Sequence, residues 1–142
     1  MDTSDPTYPR VRQVVLDTED ARGLAEFYRR LFGLRYRPGD EPPPPGQPDE
    51  RGRDWLVLRN EGGVALAFQQ VTQLPRPTWP HGPHPQMLHL DTTVDSVAEL
   101  TRHRDRALEL GAAVLLDRSG DADEPLYVFA DPAGHPFCIF VA

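Results

Sequence analysis

Apolar and polar positions along the chain change period several times, and those changes predict the elements. Residues 11–17 are mostly β-branched and apolar, interrupted by Arg12 and Gln13, which predicts a strand. Leu24, Phe27, Tyr28, Leu31 and Phe32 then recur at helical spacing as one stripe, with Arg22, Glu26, Arg29 and Arg30 off it. Asp20 is placed to cap that helix and Gly33 to end it in a left-handed conformation. A short strand over 34–37 follows. Residues 54–59 and 64–71 predict two further strands, and Asn60-Glu61-Gly62-Gly63 between them supplies the turn chemistry of a hairpin.

The same order then returns. A strand is expected over 87–93. Ser96 and Glu99 have capping-box spacing, and Val97, Leu100, Arg104 and Leu108 share a helical face on which Arg104 is the polar exception. Gly111 closes this helix as Gly33 closed the first. A strand over 112–116 and a hairpin of 125–130 with 136–141, around Asp131-Pro132-Ala133-Gly134, complete the chain. Gln13 corresponds to His89, Gly33 to Gly111 and Gly63 to Gly134. A repeat this long means two βαβββ modules, not a solenoid of short repeats. The expected class is α+β: a curved mixed sheet around a cavity, with the helices outside. The first module covers 10–71 and the second 86–142, joined by a linker over 72–85 and preceded by a disordered tail over 1–9.

Composition sharpens this picture at a few points. Eleven of the sixteen prolines fall in 38–48 and 74–85, and proline fits neither helix interiors nor central strands, so both stretches are loops. The first is expected to be stiff and not to pack deeply, although it can cover a cavity mouth. A hydrophobic share of 39% with 26% charged residues suits a globular domain. No run of 18 apolar residues occurs, so no membrane partner is expected. The first residues carry no apolar signal segment, so a cytoplasmic location is expected. Cys138 is the lone cysteine and cannot form an internal disulfide. A formal net charge of −7 with no basic run argues against a nucleic-acid partner.

Two βαβββ modules, the strand Val-Arg-Gln-Val-Val-Leu-Asp, the helix ending Phe-Tyr-Arg-Arg-Leu-Phe-Gly-Leu and the segment Phe-Ala-Asp-Pro-Ala-Gly-His-Pro-Phe at 129–137 together resemble the vicinal oxygen chelate superfamily. That group includes glyoxalases, extradiol dioxygenases, epimerases, fosfomycin thiol transferases and bleomycin-binding resistance proteins. The resemblance covers roughly 10–142 and implies the fold more than any chemistry, since this fold hosts several reactions and pure binding. Metal-using members place one ligand on the first strand and one on the last strand of each module. By position these fall on Gln13, Ala67, His89 and Cys138, with Gln69 next to Ala67 on the same face. Ala67 has no donor, Gln13 is a neutral one, and no carboxylate occupies either acidic position. A catalytic divalent metal needs about three protein ligands. No metal or other cofactor is therefore expected.

The resemblance and strand alternation together imply a cavity lined by Gln13, Val15, Trp55, Gln69, His89, Asp91, Cys138 and Phe140. The expected function is binding of a small, largely apolar or aromatic molecule there, as bleomycin-resistance proteins bind theirs, by a homodimer. The alternative is a lyase, isomerase or dioxygenase in which His89 is the base or a metal ligand and Gln13 orients the substrate. A third reading, an interaction module, requires a filled cavity and an exposed apolar patch instead. Cys138 is either a nucleophile activated by His89 or a small buried apolar residue. Trp79, in the second proline-rich stretch, either packs on the domain or lines a site or contact. His81, His84 and His103 are read as surface residues and His135 as a turn residue.

Overall fold

The computed structural model describes residues 9–142, so the tail expected over 1–9 lies, Pro9 apart, outside the described residues. The first module consists of β1 (Gln13–Thr18), α1 (Ala21–Phe32), β2 (Arg35–Tyr36), β3 (Trp55–Arg59) and β4 (Ala65–Gln70). The second consists of β5 (Leu90–Val94), α2 (Val97–Glu109), β6 (Ala113–Arg118), β7 (Leu126–Ala130) and β8 (Pro136–Val141). The strand orders are β1-β4-β3-β2 and β5-β8-β7-β6, so the repeat read from the sequence is a repeat of topology. In each module the first and last strands pair in parallel and the other pairs are antiparallel. The fold is α+β, with two mixed four-stranded sheets, neither closed into a barrel.

Local chemistry sets the helix ends. The Asp20 carboxylate accepts from the Gly23 N–H at 2.9 Å, and Gln70 on β4 accepts from the Ala21 N–H at 2.8 Å. Two orphan donors of the first turn are thereby satisfied. Gly33 ends α1 with φ of 67°, a conformation that costs glycine nothing. Ser96 Oγ accepts from the Glu99 N–H at 3.1 Å, as the capping spacing predicts. The buried face of α2 differs from expectation. Leu100 and Ala107 are buried, with His103 and Arg104 half-buried between them, whereas Val97 and Leu108 are exposed. The four inward positions have strict helical spacing. Small Ala107 lets the helix approach its sheet, and Arg104 reaches out to donate to the Tyr127 hydroxyl at 2.8 Å. His103, expected at the surface, lies on this inner face.

The core lies on the helix-bearing side and runs across both modules. Phe27, Tyr28 and Phe32 of α1 all meet Phe137 of β8, with ring centroids at 5.9, 5.9 and 6.1 Å, and Phe129 stacks on Phe137 at 5.1 Å. Beneath this cluster the Tyr28 hydroxyl donates to the buried Asp131 carboxylate at 2.6 Å. The other Asp131 oxygen accepts from the N–H groups of Ala133 and His135 at 2.8 and 3.0 Å. Burial pushes the Asp131 carboxyl up from its ordinary range, and it pushes the Tyr28 hydroxyl well up. The turn of the second module is thus pinned to the helix of the first.

Two expectations about chain segments are corrected. The loop over 38–48 does pack deeply at one residue. Asp40 is fully buried and accepts from the Val57 N–H at 2.9 Å, from Arg51 at 2.8 Å and from Arg37 at 3.1 Å. A buried carboxylate is tolerable only with such partners. Arg22 of α1 clasps the same loop through Asp49 at 2.8 Å and the Asp40 carbonyl at 2.6 Å. The strand expected over 87–93 begins only at Leu90, because Met87 to His89 remain exposed and unpaired behind the prolines.

Candidate functional site

Alternation along β1 sends Val14, Leu16 and Thr18 toward α1, and Gln13, Val15 and Asp17 to the opposite face. On β3 and β4 the same face carries Trp55 and Gln69, which are Cα partners, and Ala67, the partner of both Val15 and Val57. The linker folds over this face. Between them lies a cavity of about 700 Å³. Val15, Asp17, Trp55 and Gln69 form its floor. Leu74, four linker prolines (Pro75, Pro77, Pro83 and Pro85), Met87 and Leu88 form its roof, with His84, Gln86 and His135 at its polar edge.

The roof is held in place by polar contacts. Glu19 accepts from the Leu74 N–H at 3.1 Å, and Arg76 donates to the Pro132 carbonyl at 3.1 Å. Thr78 and His84 close the linker on itself, with the Thr78 N–H donating to the His84 carbonyl at 2.7 Å. His135 Nε2 donates to the Asp17 carbonyl at 2.7 Å, so this histidine joins the second module's turn to the cavity floor. That is more than the turn role read from the sequence. His84, read as a surface residue, borders the cavity. Trp79 is half-buried in the linker and outside the cavity.

A second group forms on the open face of the second sheet. Asp91 of β5 and Cys138 of β8 are direct Cα partners, and His89 stands two residues before Asp91. The donor atoms of His89, Asp91 and Cys138 all lie within 4.8 Å of one another, and His89 Nε2 is 3.1 Å from Asp91 Oδ1. On its other side His89 Nδ1 lies 3.2 Å from the Gln86 side-chain nitrogen, so both ring nitrogens are engaged. Burial, and then the Asp91 carboxylate, push the Cys138 thiol up to about 11. A cysteine nucleophile needs the opposite, an electropositive setting that favours the thiolate.

Of the eight residues expected to share one cavity, the structure gathers Val15, Trp55 and Gln69 in one place and His89, Asp91 and Cys138 in another. Gln13 and Phe140 belong to neither group. The roof residues Leu74, Met87 and Leu88, and Gln86 at the edge, were not among the candidates. Their signal was in the sequence all the same: Leu74, Met87 and Leu88 interleaved with or next to prolines are unusual in a stretch that only connects two modules.

The metal positions of the family do not fit this chain as a set. Ala67 places a methyl group where an acidic ligand would stand, and Gln13 brings a neutral amide. Of the four, His89 and Cys138 come together, with Asp91 between them.

The family model of the glyoxalase-like domain matches residues 13–140. The chain therefore belongs to the glyoxalase-like family, within the vicinal oxygen chelate superfamily. Among solved structures it is similar to a glyoxalase/bleomycin resistance protein/dioxygenase family enzyme from Burkholderia phytofirmans, with a TM-score of 0.68 and 16% identity over 94% of this chain and 98% of that one. It is similar also to a glyoxalase/dioxygenase from Nostoc punctiforme, with a TM-score of 0.64 and 20% identity over 99% and 97%. A lactoylglutathione lyase from Agrobacterium tumefaciens gives a TM-score of 0.58 and 18% identity over 95% of each chain. At these identities the likeness is one of fold. No curated protein sequence matches the chain. No helix among the described residues is long and apolar enough to cross a membrane.

Proposed function

We propose that this protein binds a small, largely apolar or aromatic molecule in the cavity between the first sheet and the linker, with no metal needed there. The observation that carries this reading is the cavity itself. Its size is that of a small-molecule site, its walls are mainly apolar, and a few polar groups converge at one edge. Met87 is 98% exposed and Leu88 is half exposed beside it. Large apolar side chains in that state gain most from a bound partner. Trp55 offers an aromatic face, while Gln69 and Asp17 offer hydrogen-bond acceptors that orient a ligand. An open cavity also disfavours the interaction-module reading.

The test is a titration with a neutral aromatic probe, N-phenyl-1-naphthylamine, followed by probe fluorescence in the presence of chelator. Saturable one-to-one binding is expected, weakened by about 2 kcal/mol in Trp55→Ala, as for truncation of a buried aromatic anchor. Absence of saturable binding, or binding indifferent to Trp55→Ala, would overturn the reading. Loss of binding on chelation would overturn its metal-free part.

A second reading, a lyase, isomerase or dioxygenase with His89 as base, has one observation in its favour. Asp91 Oδ1 stands 3.1 Å from His89 Nε2 and would hold the ring in one orientation. Against it, the other ring nitrogen is held by Gln86, and Gln86 stands between His89 and the cavity.

The chain is further proposed to act as a homodimer. Support comes from β6, an edge strand whose Val114 and Leu115 are exposed. Light scattering at micromolar concentration is expected to give twice the chain mass, and a monomer there would remove this proposal.

A further inference from the structure

We infer that the cavity selects organic cations. Its ligand has an apolar or aromatic body and one protonated or quaternary nitrogen, and that nitrogen sits between the Asp17 carboxylate and the Trp55 indole. The inference rests on the cavity reading proposed above and adds the charge of the molecule that the cavity takes.

The ladder sets the residues of this subsite side by side. Asp17 on β1 is the Cα partner of Gln69 on β4, and Gln69 is the partner of Trp55 on β3. One rung of the first sheet therefore carries a carboxylate, an amide and an indole, and all three line the cavity. Neighbouring strands stand about 4.8 Å apart, so the two outer residues are roughly 10 Å apart across Gln69. That gap holds one substituted ammonium group, within reach of the carboxylate on one side and of the indole on the other.

The charge of the lining is one-sided. Among the described residues no lysine or arginine lines the cavity, and Asp17 is its one acidic residue. The Asp17 backbone is held, because its carbonyl accepts from His135 Nε2 at 2.7 Å. Its carboxylate is exposed and has no hydrogen-bond donor or cation beside it among the described residues. Glu19, just past the end of β1, holds the Leu74 N–H at the base of the roof and adds a second negative charge nearby. The whole chain carries a net charge of −7, so its field also favours the approach of cations.

Desolvation makes this charge a selector. An exposed carboxylate is hydrated, and any molecule that fills the cavity covers Asp17 and displaces that water. A neutral apolar ligand leaves the carboxylate without a partner, and an anion adds repulsion. A cation replaces the lost hydration with a charge pair, while its apolar body still packs on Leu74 and the linker prolines. Specificity then comes from the penalty on the wrong ligands as much as from attraction to the right one. The indole acts in the same direction, since tryptophan is the side chain that best attracts a cation to its ring. A neutral hydroxyl donor would satisfy the carboxylate alone. A cation matches the carboxylate and the indole together.

The test compares three probes on the full chain at physiological ionic strength, where weak attraction to the acidic surface is screened. Phenyltrimethylammonium is followed by calorimetry. Neutral N-phenyl-1-naphthylamine and its anionic sulfonate analogue, anilinonaphthalene sulfonate, are followed by fluorescence. One phenyltrimethylammonium per chain is expected, and the sulfonate is expected to bind at least about tenfold more weakly than its neutral parent. Asp17→Asn keeps the shape of the side chain and removes its charge. It should weaken the cation about tenfold, leave the neutral probe within about twofold and narrow the gap to the sulfonate. Trp55→Ala should weaken both the cation and the neutral probe. Glu61→Gln, which changes an exposed carboxylate on the β3–β4 turn outside the cavity, should change nothing. Circular dichroism verifies the fold of each variant. Saturable binding of the neutral probe with none of the cation at millimolar concentration would overturn the inference and leave the cavity reading standing. So would cation binding that Asp17→Asn does not weaken, which would mean general attraction to an acidic surface. Saturable binding of neither probe would remove the inference and the cavity reading together.

Discussion

Phe137→Ala is expected to destabilise the protein by about 3–5 kcal/mol, the range for emptying a fully buried aromatic position. Phe137 is fully buried and contacts four aromatic rings from two elements, Phe27, Tyr28 and Phe32 on α1 and Phe129 on β7. Three of those partners belong to the first module. The cavity left by the deletion would therefore open between the modules. No flexible side chain is free to fill it, because the neighbouring rings hold each other in edge and stacked contacts. Phe137→Leu keeps most of the volume and is expected to cost no more than about 1.5 kcal/mol. Urea unfolding checks both. The midpoint should fall while the slope stays constant, in one cooperative transition, because the core is shared. Two separate transitions in the parent chain would show that Phe137 does not couple the modules. For a domain whose total stability is of order 5–15 kcal/mol, the alanine variant sits near the edge of folding.

Asp131→Ala is the second large effect, expected at about 3–5 kcal/mol, as for other buried polar groups stripped of their partner. The Asp131 carboxylate takes three donors at once, from the Tyr28 hydroxyl and from the amides of Ala133 and His135. Alanine leaves all three unsatisfied in a place water cannot reach easily. Asp131→Asn keeps an acceptor for the two amides and can donate to the Tyr28 oxygen, so its expected cost is about 1 kcal/mol. Tyr28→Phe removes the partner on the other side. In a double-mutant cycle Tyr28→Phe with Asp131→Ala should cost less than the sum of the two, since the second change then leaves one orphan fewer. Additive costs would show that the hydroxyl and the carboxylate do not depend on each other. The result bears on the Asp-Pro-Ala-Gly turn as a family mark. In this chain its aspartate satisfies a turn and a helix residue together.

How much was legible in the sequence follows from the range of the forces involved. α1 was readable almost to the residue, because its signals are local: a carboxylate that caps its own helix, an apolar stripe at one spacing and a glycine that ends it. β8 was readable for the same reason, since Pro136 cannot donate and Phe137 and Ile139 alternate inward. The face of α2 was not. Large apolar residues drew the eye to Val97 and Leu108, while the sheet accepted the helix through small Ala107 and left those two in water. The buried Asp40 was hidden too. A carboxylate in a proline-rich loop reads as solvated until two arginines and a backbone amide, one of them 17 residues away, are folded around it.

The candidate site divides along the same line. The resemblance and strand alternation together imply one cavity shared by all eight candidates. The structure divides them, because side-chain direction within a strand is a local property while the placing of strands against one another is not. The sequence by itself therefore determined the α+β class, the two βαβββ modules, the helix caps and the residue types available for chemistry. Only the tertiary structure decided that the linker is a roof, that the two groups stand apart, and that Asp91 joins His89 and Cys138. Those facts depend on where the linker lies on the first sheet and on the pairing register of β5 with β8. Both are fixed by contacts between residues far apart in the chain, and no local pattern encodes them.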